Sequence, residues 1–335
     1  MKTKRISINW GAFTLIELLV TMIVINILVA IMIPSVLAVR ETVRRGSCQH
    51  NLSKIVIATK KYEESFGVLP SGTVNPTAPI RNVPIGNHLG WIPRLLPFME
   101  QTPLYNMIDF SKGVYDAENE QAWTSVTPNI FRCSSDYSIQ GSRYSNYMAC
   151  HEGTETPIDT KNRGTFFLNS QLRSKDISDG NSCTVWFGEA AMVPLSHWRG
   201  VLPSDAVNPS LGWMSGSPGT IRNTGHKIND KPFYATWLMP FNAAGQINPA
   251  GFPYKISADE NNTENNTETH PANPEILWAT ELPEQFQVGG FNSFHVSGSN
   301  HAFGDGNIRM IFETIDADVY QKLGQRDDGM PVSLD

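Results

Sequence analysis

The sequence predicts an α+β protein in which a long N-terminal helix, membrane-spanning in its first half, packs on a globular head with a mixed antiparallel β-sheet. Two observations predict this class. Residues 13–39 form one apolar stretch, and helical spacing of apolar side chains continues through residues 40–67. In residues 68–335, short apolar segments alternate with turn residues, which is typical of a mixed head with many loops.

Composition limits the classes of function. Of the 335 residues, 40% are hydrophobic, so the chain has ample apolar content for a core. The charged fraction of 17% lies below the roughly 25% of an ordinary soluble domain. The formal net charge of −6 argues against a nucleic-acid partner, because nucleic-acid binders carry a basic excess on one face.

The N-terminus predicts a single-pass protein of the inner membrane. Residues 1–12 carry three basic residues and no acid, and residues 18–39 contain no charged residue. This apolar segment is long enough to span a bilayer as a helix, whereas a secretory signal peptide has a shorter one followed by a cleavage site. Because positive charge before the span keeps that end in the cytoplasm, we expect the head in the periplasm or at the cell surface.

Glu17 is the one charged side chain inside residues 13–39. A carboxylate at the centre of a bilayer costs about 2.5–3.5 kcal/mol, and less near the edge. Two interpretations follow from this position. Either Glu17 lies in the headgroup zone at little cost, or it pairs with a cation when the protein assembles.

Residues 13–17 read FTLIE, and with their basic leader they resemble the N-terminal motif of type IV pilins and type II secretion pseudopilins. The resemblance implies that a prepilin peptidase removes the leader, residues 1–12, by cutting between Ala12 and Phe13. The same enzyme methylates the new terminal amine. Glycine usually precedes the cut, and Gly11 stands one place earlier, so a cut after Gly11 is the alternative.

The pilin resemblance also implies how such a protein assembles. Glu17 pairs with the terminal amine of a neighbouring subunit, and Pro34 kinks the helix. The implied partners are inner-membrane lipid, the prepilin peptidase and other pilin-like subunits, in homo- or hetero-assembly.

The helix is predicted to continue beyond the membrane as an amphipathic segment. Side chains at spacings of three and four form one stripe that faces the head: Leu52, Ile55, Thr59, Tyr62 and Phe66. Gly67 then ends the helix as its C-cap.

Local patterns predict short elements in the head. Helices are expected within residues 91–105 and from Ile315 to Leu323, before Gly324. The expected strands are residues 164–168, 184–188 and 234–238, with a hairpin of residues 301–303 and 308–312 around an Asp-Gly turn. Residues 200–232 and 242–275 are expected to form loops.

The head resembles the bacterial family of pilin-like proteins known as domain of unknown function 1559, over nearly the whole chain. Five segments carry this resemblance: Cys48 with Asn51-Leu52, LPFMEQ at 96–101, FRCSSD at 131–136, ISDGNS at 177–182 with Gly188-Glu189, and His295 nine residues before Asp305-Gly306. Ser134 stands where the family pattern usually has proline. The family has no established activity, so the resemblance implies no chemistry for its motif residues Asp179, Gly180, His295, Asp305 and Gly306.

The chain has four cysteines, Cys48, Cys133, Cys150 and Cys183. An even number in an exported domain favours two disulfides, and three connectivities are possible. The resemblance favours Cys48–Cys133 with Cys150–Cys183, because the family-like segments around the first two would join the helix to the head. Four buried free thiols are the alternative, and no Cys/His spacing predicts zinc.

No residue is assigned to catalysis, and we expect no enzyme, cofactor or metal. The chain has no G-x-S-x-G, H-E-x-x-H, P-loop or G-x-G-x-x-G motif. Two functional interpretations involve His295 and Asp305: a hydrolase site with Ser293, or a metal site with His301. The simpler interpretation is a hairpin turn at Asp305-Gly306 with His295 hydrogen-bonded beside it. The turn is preferred.

The Asp179-Gly180 pair and the tryptophans each allow a functional interpretation and a simpler structural one. Asp179-Gly180 is expected to form a turn, and the EF-hand pattern that would indicate a calcium site is absent. A carbohydrate platform of tryptophans is the alternative to burial for Trp91, Trp123, Trp186 and Trp237, whose apolar surroundings predict a place in the core.

The sequence therefore predicts a structural, pilin-like subunit that a prepilin peptidase processes and that assembles through its N-terminal helix into a pilus or secretion pseudopilus. The alternative is a membrane-anchored periplasmic module that binds a small ligand, such as a sugar or peptide, through residues 200–275.

Overall fold

The computed structural model describes residues 14–81, 86–124, 127–136, 144–191, 212–229, 288–295 and 297–330. The chain divides into two compact units, residues 1–46 and residues 47–335. It has an α+β fold with a long N-terminal helix, as the sequence predicts. The strand expected at residues 234–238 and the loop at 242–275 lie outside the described residues.

Helix α1 (Leu15–Phe66) contains 52 residues. In its second half, the predicted stripe is buried at Leu52, Ile55, Thr59 and Tyr62, whereas Phe66 is 60% exposed. Phe66 ends the helix with its ring centroid 4.5 Å from that of Tyr62. Gly67 has a φ of +75° and donates its N–H to the Glu63 carbonyl, which confirms it as the C-cap.

The head is built on a five-stranded sheet of β3 (Tyr147–Glu152), β4 (Val185–Glu189), β5 (Ile221–Asn223), β6 (Gly298–Phe303) and β7 (Ile308–Phe312). The strand order is β5-β3-β4-β6-β7. β3 pairs with β4, β4 with β6 and β6 with β7 in antiparallel register, whereas β3 and β5 are parallel. The sheet is therefore mixed, with one parallel pair at an edge.

Shorter elements cover the sheet. The first strands are β1 (Thr73–Val74) and β2 (Leu89–Gly90), and the short helices are α2 (Trp91–Leu95), α3 (Thr102–Tyr105), α4 (Glu120–Trp123) and α5 (Ala317–Leu323). The helix expected within residues 91–105 is thus α2, a 3-10 turn at Leu96–Met99 and α3. Asp316 caps α5 by accepting the N–H groups of Asp318 and Val319.

Apolar side chains lie on both faces of the sheet. Tyr147 and Ala149 of β3 join one cluster, which also contains Leu52 and Ile55 of α1. Met148 and Cys150 of β3 join a second cluster with Tyr320 and Leu323 of α5. The alternation along β3 follows from the period of two in a strand. One face of the sheet therefore packs against the second half of α1, and the other face packs against α5.

Two predictions for the head change, and the prediction for its tryptophans is confirmed where it can be checked. Residues 164–168 do not form a strand: residues 164–166 are bends, Gly164 and Phe166 donate their N–H groups to carbonyls of β3, and Leu168 forms a single bridge. Residues 212–224, expected within a loop, are buried and contain β5. Trp91 and Trp186 are fully buried as predicted; the Trp123 side chain and Trp237 lie outside the described part.

Candidate functional site

The start of α1 is organised by a capping box between Thr14 and Glu17. The Thr14 N–H and hydroxyl donate to Glu17 Oε2 at 2.9 and 2.8 Å, and the Glu17 N–H donates to Thr14 Oγ1 at 3.3 Å. Each side chain thus satisfies a backbone N–H that the helix leaves unpaired. Glu17 is therefore bonded within its own chain and exposed to solvent. Ala12 and Phe13, the predicted cleavage pair, lie outside the described residues.

The first part of α1 is the one segment of the described residues that is long and apolar enough to cross a membrane. It covers Leu15–Ile33 with a mean hydropathy of 2.7, and none of it is buried within the chain. A membrane anchor and a signal sequence both meet this description. The helix runs through Pro34 as a single element, and the kink predicted there stays a prediction.

Cys48 of α1 is joined to Cys133 by a disulfide with a Cα–Cα distance of 5.3 Å, as expected. The second expected bridge is wrong, because Cys150 and Cys183 are free thiols. The β3–β4 register places Ala149 opposite Phe187, so Cys183 lies before the start of β4, well away from the pairing position of Cys150. The Cys150 sulfur instead faces the carbonyls of Glu152 and Gly324, and burial raises the pKa of its thiol.

His295 and Glu189 lie against the Cys48–Cys133 bridge. His295 Nε2 is 3.5 Å from Cys133 Sγ and 3.5 Å from Glu189 Oε1, and its Nδ1 is 3.5 Å from Ser135 Oγ. All of these residues are buried. The bridge, the imidazole and the carboxylate therefore form one compact group, which we call the disulfide cluster: Cys48, Cys133, Glu189 and His295.

The carboxylate of Glu189 is held in place from the neighbouring strand and loop. Ser293 donates its hydroxyl to Oε2 at 2.8 Å, and Asn300 of β6 donates its backbone N–H to Oε2 and its amide to Oε1, both at 3.0 Å. The Asn300 amide oxygen in turn accepts from Gln49 of α1 at 3.0 Å. Burial, with the charge of Glu189 as a second cause, raises the pKa of the nearby Tyr147 hydroxyl.

The residues weighed as a metal site or a hydrolase do not come together. His295 precedes β6, whereas Asp305 follows the opposite end of that strand, so neither a catalytic pair nor a shared ligand set forms. His301 Nε2 lies 2.8 Å from the Tyr320 hydroxyl on the second face of the sheet. The prediction that His295 is hydrogen-bonded beside the Asp305-Gly306 turn is also wrong, since His295 lies in the disulfide cluster against Cys133 and Glu189.

The motif pairs Asp305-Gly306 and Asp179-Gly180 have structural roles. Asp305-Gly306 closes the β6–β7 hairpin, with Gly306 at a φ of +101° and the Asp305 carboxylate accepting from Asn307 N–H and Nδ2 at 2.9 and 2.6 Å. Asp179 accepts the N–H groups of residues 328 and 329 at 2.7 and 2.9 Å, which fastens the C-terminal segment. Both predicted turns are confirmed, and both Asp179 oxygens are occupied by backbone.

The sequence did not single out Glu189 or Asn300 as site residues. Glu189 is part of a motif segment, but nothing in its local pattern shows that it faces the bridge between α1 and the segment before β3. The motif segments themselves are the one signal in the sequence that indicates these residues belong to a common site. Four of them supply the four members of the disulfide cluster, from α1, the segment before β3, β4 and the segment before β6.

Comparison with known proteins gives one match. The family model described as a protein of unknown function (DUF1559) matches residues 37–318. No curated protein matches the chain, and no solved structure does. Because the matched region covers well over half of the 335 residues, the chain belongs to the DUF1559 family.

Proposed function

We propose that the chain is a pilin-like structural subunit that a prepilin peptidase processes and that assembles through its N-terminal helix into a pilus or secretion pseudopilus. One observation carries the proposal. The helix that begins at the FTLIE segment is the same helix, α1, whose later residues lie in the core of the head. None of its 19-residue apolar part is buried within the chain, so this part is available to lipid or to other copies.

The integration of α1 into the head favours a filament subunit over a simple anchor. An anchor only has to keep a head near the membrane, and a flexible linker suffices for this purpose. Here Leu52 and Ile55 are fully buried, which contributes roughly 1.5–3 kcal/mol for each side chain. The Cys48–Cys133 bridge adds a covalent connection. The part of α1 from Cys48 onward is thus fixed to the head by packing and by a covalent bond.

Glu17 is the residue on which assembly is proposed to depend. In one chain, its Oε2 caps α1 through Thr14. In the assembled protein, the carboxylate also pairs with the terminal amine of Phe13 in a neighbouring subunit. This pairing offsets the cost of a carboxylate in the membrane, about 2.5–3.5 kcal/mol at the centre.

Two substitutions separate the cap from the charge. Glu17→Gln keeps an oxygen that accepts from Thr14 but removes the charge, whereas Thr14→Ala weakens the cap and keeps the charge. We expect Glu17→Gln to be lost from filaments sheared from cells and Thr14→Ala to enter them, with both proteins present in the membrane fraction. Wild-type levels of Glu17→Gln in filaments would disprove the charge pairing.

Processing has its own direct test. The intact mass and N-terminal peptide of the protein from its native envelope should show a chain that begins with N-methylated Phe13. A chain that begins with Ala12 would move the cut to the position after Gly11. A chain that still begins with Met1 would contradict processing and leave α1 as an anchor.

The ligand-binding module remains the alternative function. Of residues 200–275, the structure describes only 212–229, and this part contributes buried side chains such as Trp213 and Ile221 to the core. Saturable binding of a sugar or peptide by the full chain, with a ligand-dependent rise in melting temperature, would favour the module over the filament subunit.

A further inference from the structure

The disulfide cluster brings together four side chains that each offer a metal-ligand atom. The two sulfurs, His295 Nε2 and a Glu189 oxygen all lie within 4.8 Å of one another, and all four residues are buried. Two thiolates, one imidazole and one carboxylate form a ligand set that suits zinc. This site is separate from the apolar part of α1 and does not depend on assembly.

The two distances from His295 Nε2 to its neighbours in the cluster fit a tetrahedral ion. Zinc binds sulfur at about 2.3 Å and nitrogen or oxygen at about 2.0–2.2 Å, so tetrahedral ligand atoms lie roughly 3.3–3.8 Å apart. His295 Nε2 is 3.5 Å from both Cys133 Sγ and Glu189 Oε1. The two sulfurs are closer than a metal requires, because they are bonded to each other.

The surroundings of the cluster orient the ligands as they do in metal sites. Glu189 Oε2 accepts from Ser293 and from the Asn300 N–H, and Oε1 accepts from the Asn300 amide and faces His295, so the carboxylate is fixed. Ser135 Oγ lies 3.5 Å from Nδ1, the other ring nitrogen of His295. Such outer contacts set the ring orientation and tune the affinity of a ligand set.

We propose that the reduced chain binds one Zn²⁺ ion through Cys48, Cys133, His295 and Glu189, so that a disulfide and a metal ion are alternative cross-links at the same position. A dithiol reductant supplies two electrons and two protons: the Sγ–Sγ bond breaks, two thiols form, and the dithiol becomes its own disulfide. Zn²⁺ then displaces one proton from each thiol and binds both thiolates. Either cross-link joins α1 to the segment before β3.

The test uses the full chain in detergent micelles. The protein is reduced with dithiothreitol, freed from the reagent without oxygen and titrated with Co²⁺ and then Zn²⁺. We expect one equivalent of Co²⁺ to give the strong visible bands of a tetrahedral ion with a thiolate charge-transfer band, and Zn²⁺ to displace it. The oxidised chain should give neither signal.

Variants test the non-sulfur ligands. Glu189→Gln and His295→Asn keep the approximate shapes and should weaken Zn²⁺ binding at least tenfold. His226→Gln is the matched control, because His226 Nε2 lies 2.7 Å from Glu155 Oε2 in a second His–Glu pair that is not part of the disulfide cluster. This control should bind Zn²⁺ like the wild-type chain.

X-ray absorption spectroscopy at the zinc edge, on the reduced wild-type chain loaded with Zn²⁺, keeps the proposal testable if a variant fails to fold. It should show two sulfur ligands at about 2.3 Å and two nitrogen or oxygen ligands at about 2.0 Å. The proposal is overturned if the reduced chain binds no metal, if the oxidised chain binds it equally well, or if the spectrum contains no sulfur.

Discussion

The contribution of the Cys48–Cys133 bridge to stability can be calculated from its position in the chain. The bridge closes a loop with a sequence separation of 85 residues. In the chain-entropy model, a cross-link over such a loop stabilises the folded state by about 4.6 kcal/mol at 25 °C. We expect the double variant Cys48→Ala/Cys133→Ala to lose close to this amount, since the main effect is on the unfolded chain.

The assay is guanidinium unfolding of the full chain in detergent, with a metal chelator present. Tryptophan emission reports the head, because Trp91, Trp186 and Trp213 are fully buried. The dependence on denaturant should become steeper in the double variant, since its unfolded state is less restricted and exposes more surface. Cys183→Ala is the control; its thiol is free and partly exposed, so we expect a change below about 0.5 kcal/mol.

A loss smaller than about 1 kcal/mol relative to the Cys183→Ala control would refute this reasoning. The unfolded chain would then be restricted by something other than the bridge, and the entropy of the loop would not be the source of stability. The double variant Cys48→Ala/Cys133→Ala also tests the metal proposal, because it lacks both thiolates and should not bind Zn²⁺.

Three more predictions concern the packing of the head. Burial lowers the pKa of His301 from 6.5 to about 4. The contribution of this residue to the free energy of unfolding should therefore be constant above pH 6.5 and should fall by about 1.4 kcal/mol for each pH unit as the pH is lowered from 6.5 to 4. Melting curves of His301→Gln, measured across this pH range, should show a pH dependence of stability that is smaller by this amount. Gly304→Ala places a Cβ 2.5 Å from Trp186 Cε2 and should cost about 1–3 kcal/mol in denaturant unfolding, with a shift in tryptophan emission. Leu52→Ala should cost about 2–5 kcal/mol by the same measurement, and an effect below 0.5 kcal/mol would mean that α1 does not contribute to the core.

The elements that could be predicted from the sequence have strong local signals. The apolar stretch and the following stripe predict α1, and its end at Phe66 follows from Gly67. Asp305-Gly306 between two apolar segments predicts the β6–β7 hairpin, because this dipeptide adopts the tight turn that joins antiparallel strands. Each signal acts between residues that are close in the chain.

Strands β3 and β5 could not be predicted because their signals are not local. Every residue of β3 is buried, on both faces of the sheet, so the polar and apolar alternation of an exposed strand is missing. β5 has three residues and exists through its parallel pairing with β3. Residues 164–168 have the composition of a strand, yet they pair irregularly with β3.

The candidate site was predictable only in parts. The bridge between Cys48 and Cys133 was expected from motif segments, but its neighbours were not. Glu189 and His295 reach it because β4 and β6 are adjacent in the sheet, and this adjacency depends on pairing between segments far apart in the chain. Cys150 and Cys183 show the opposite case, since an even number of cysteines does not place two thiols within bonding distance.

The covalent connection at Cys48 also determines how the chain carries mechanical load. Tension that enters through the part of α1 before Cys48 and leaves through any point after Cys133 crosses the bridge, so the 85-residue separation between the cysteines is bypassed. Helices α2, α3 and α4 lie within this bypassed loop and carry no backbone tension while the bridge is closed. A fully stretched oxidised chain is therefore shorter than the reduced, metal-free chain by roughly 290 Å, at about 3.4 Å per residue.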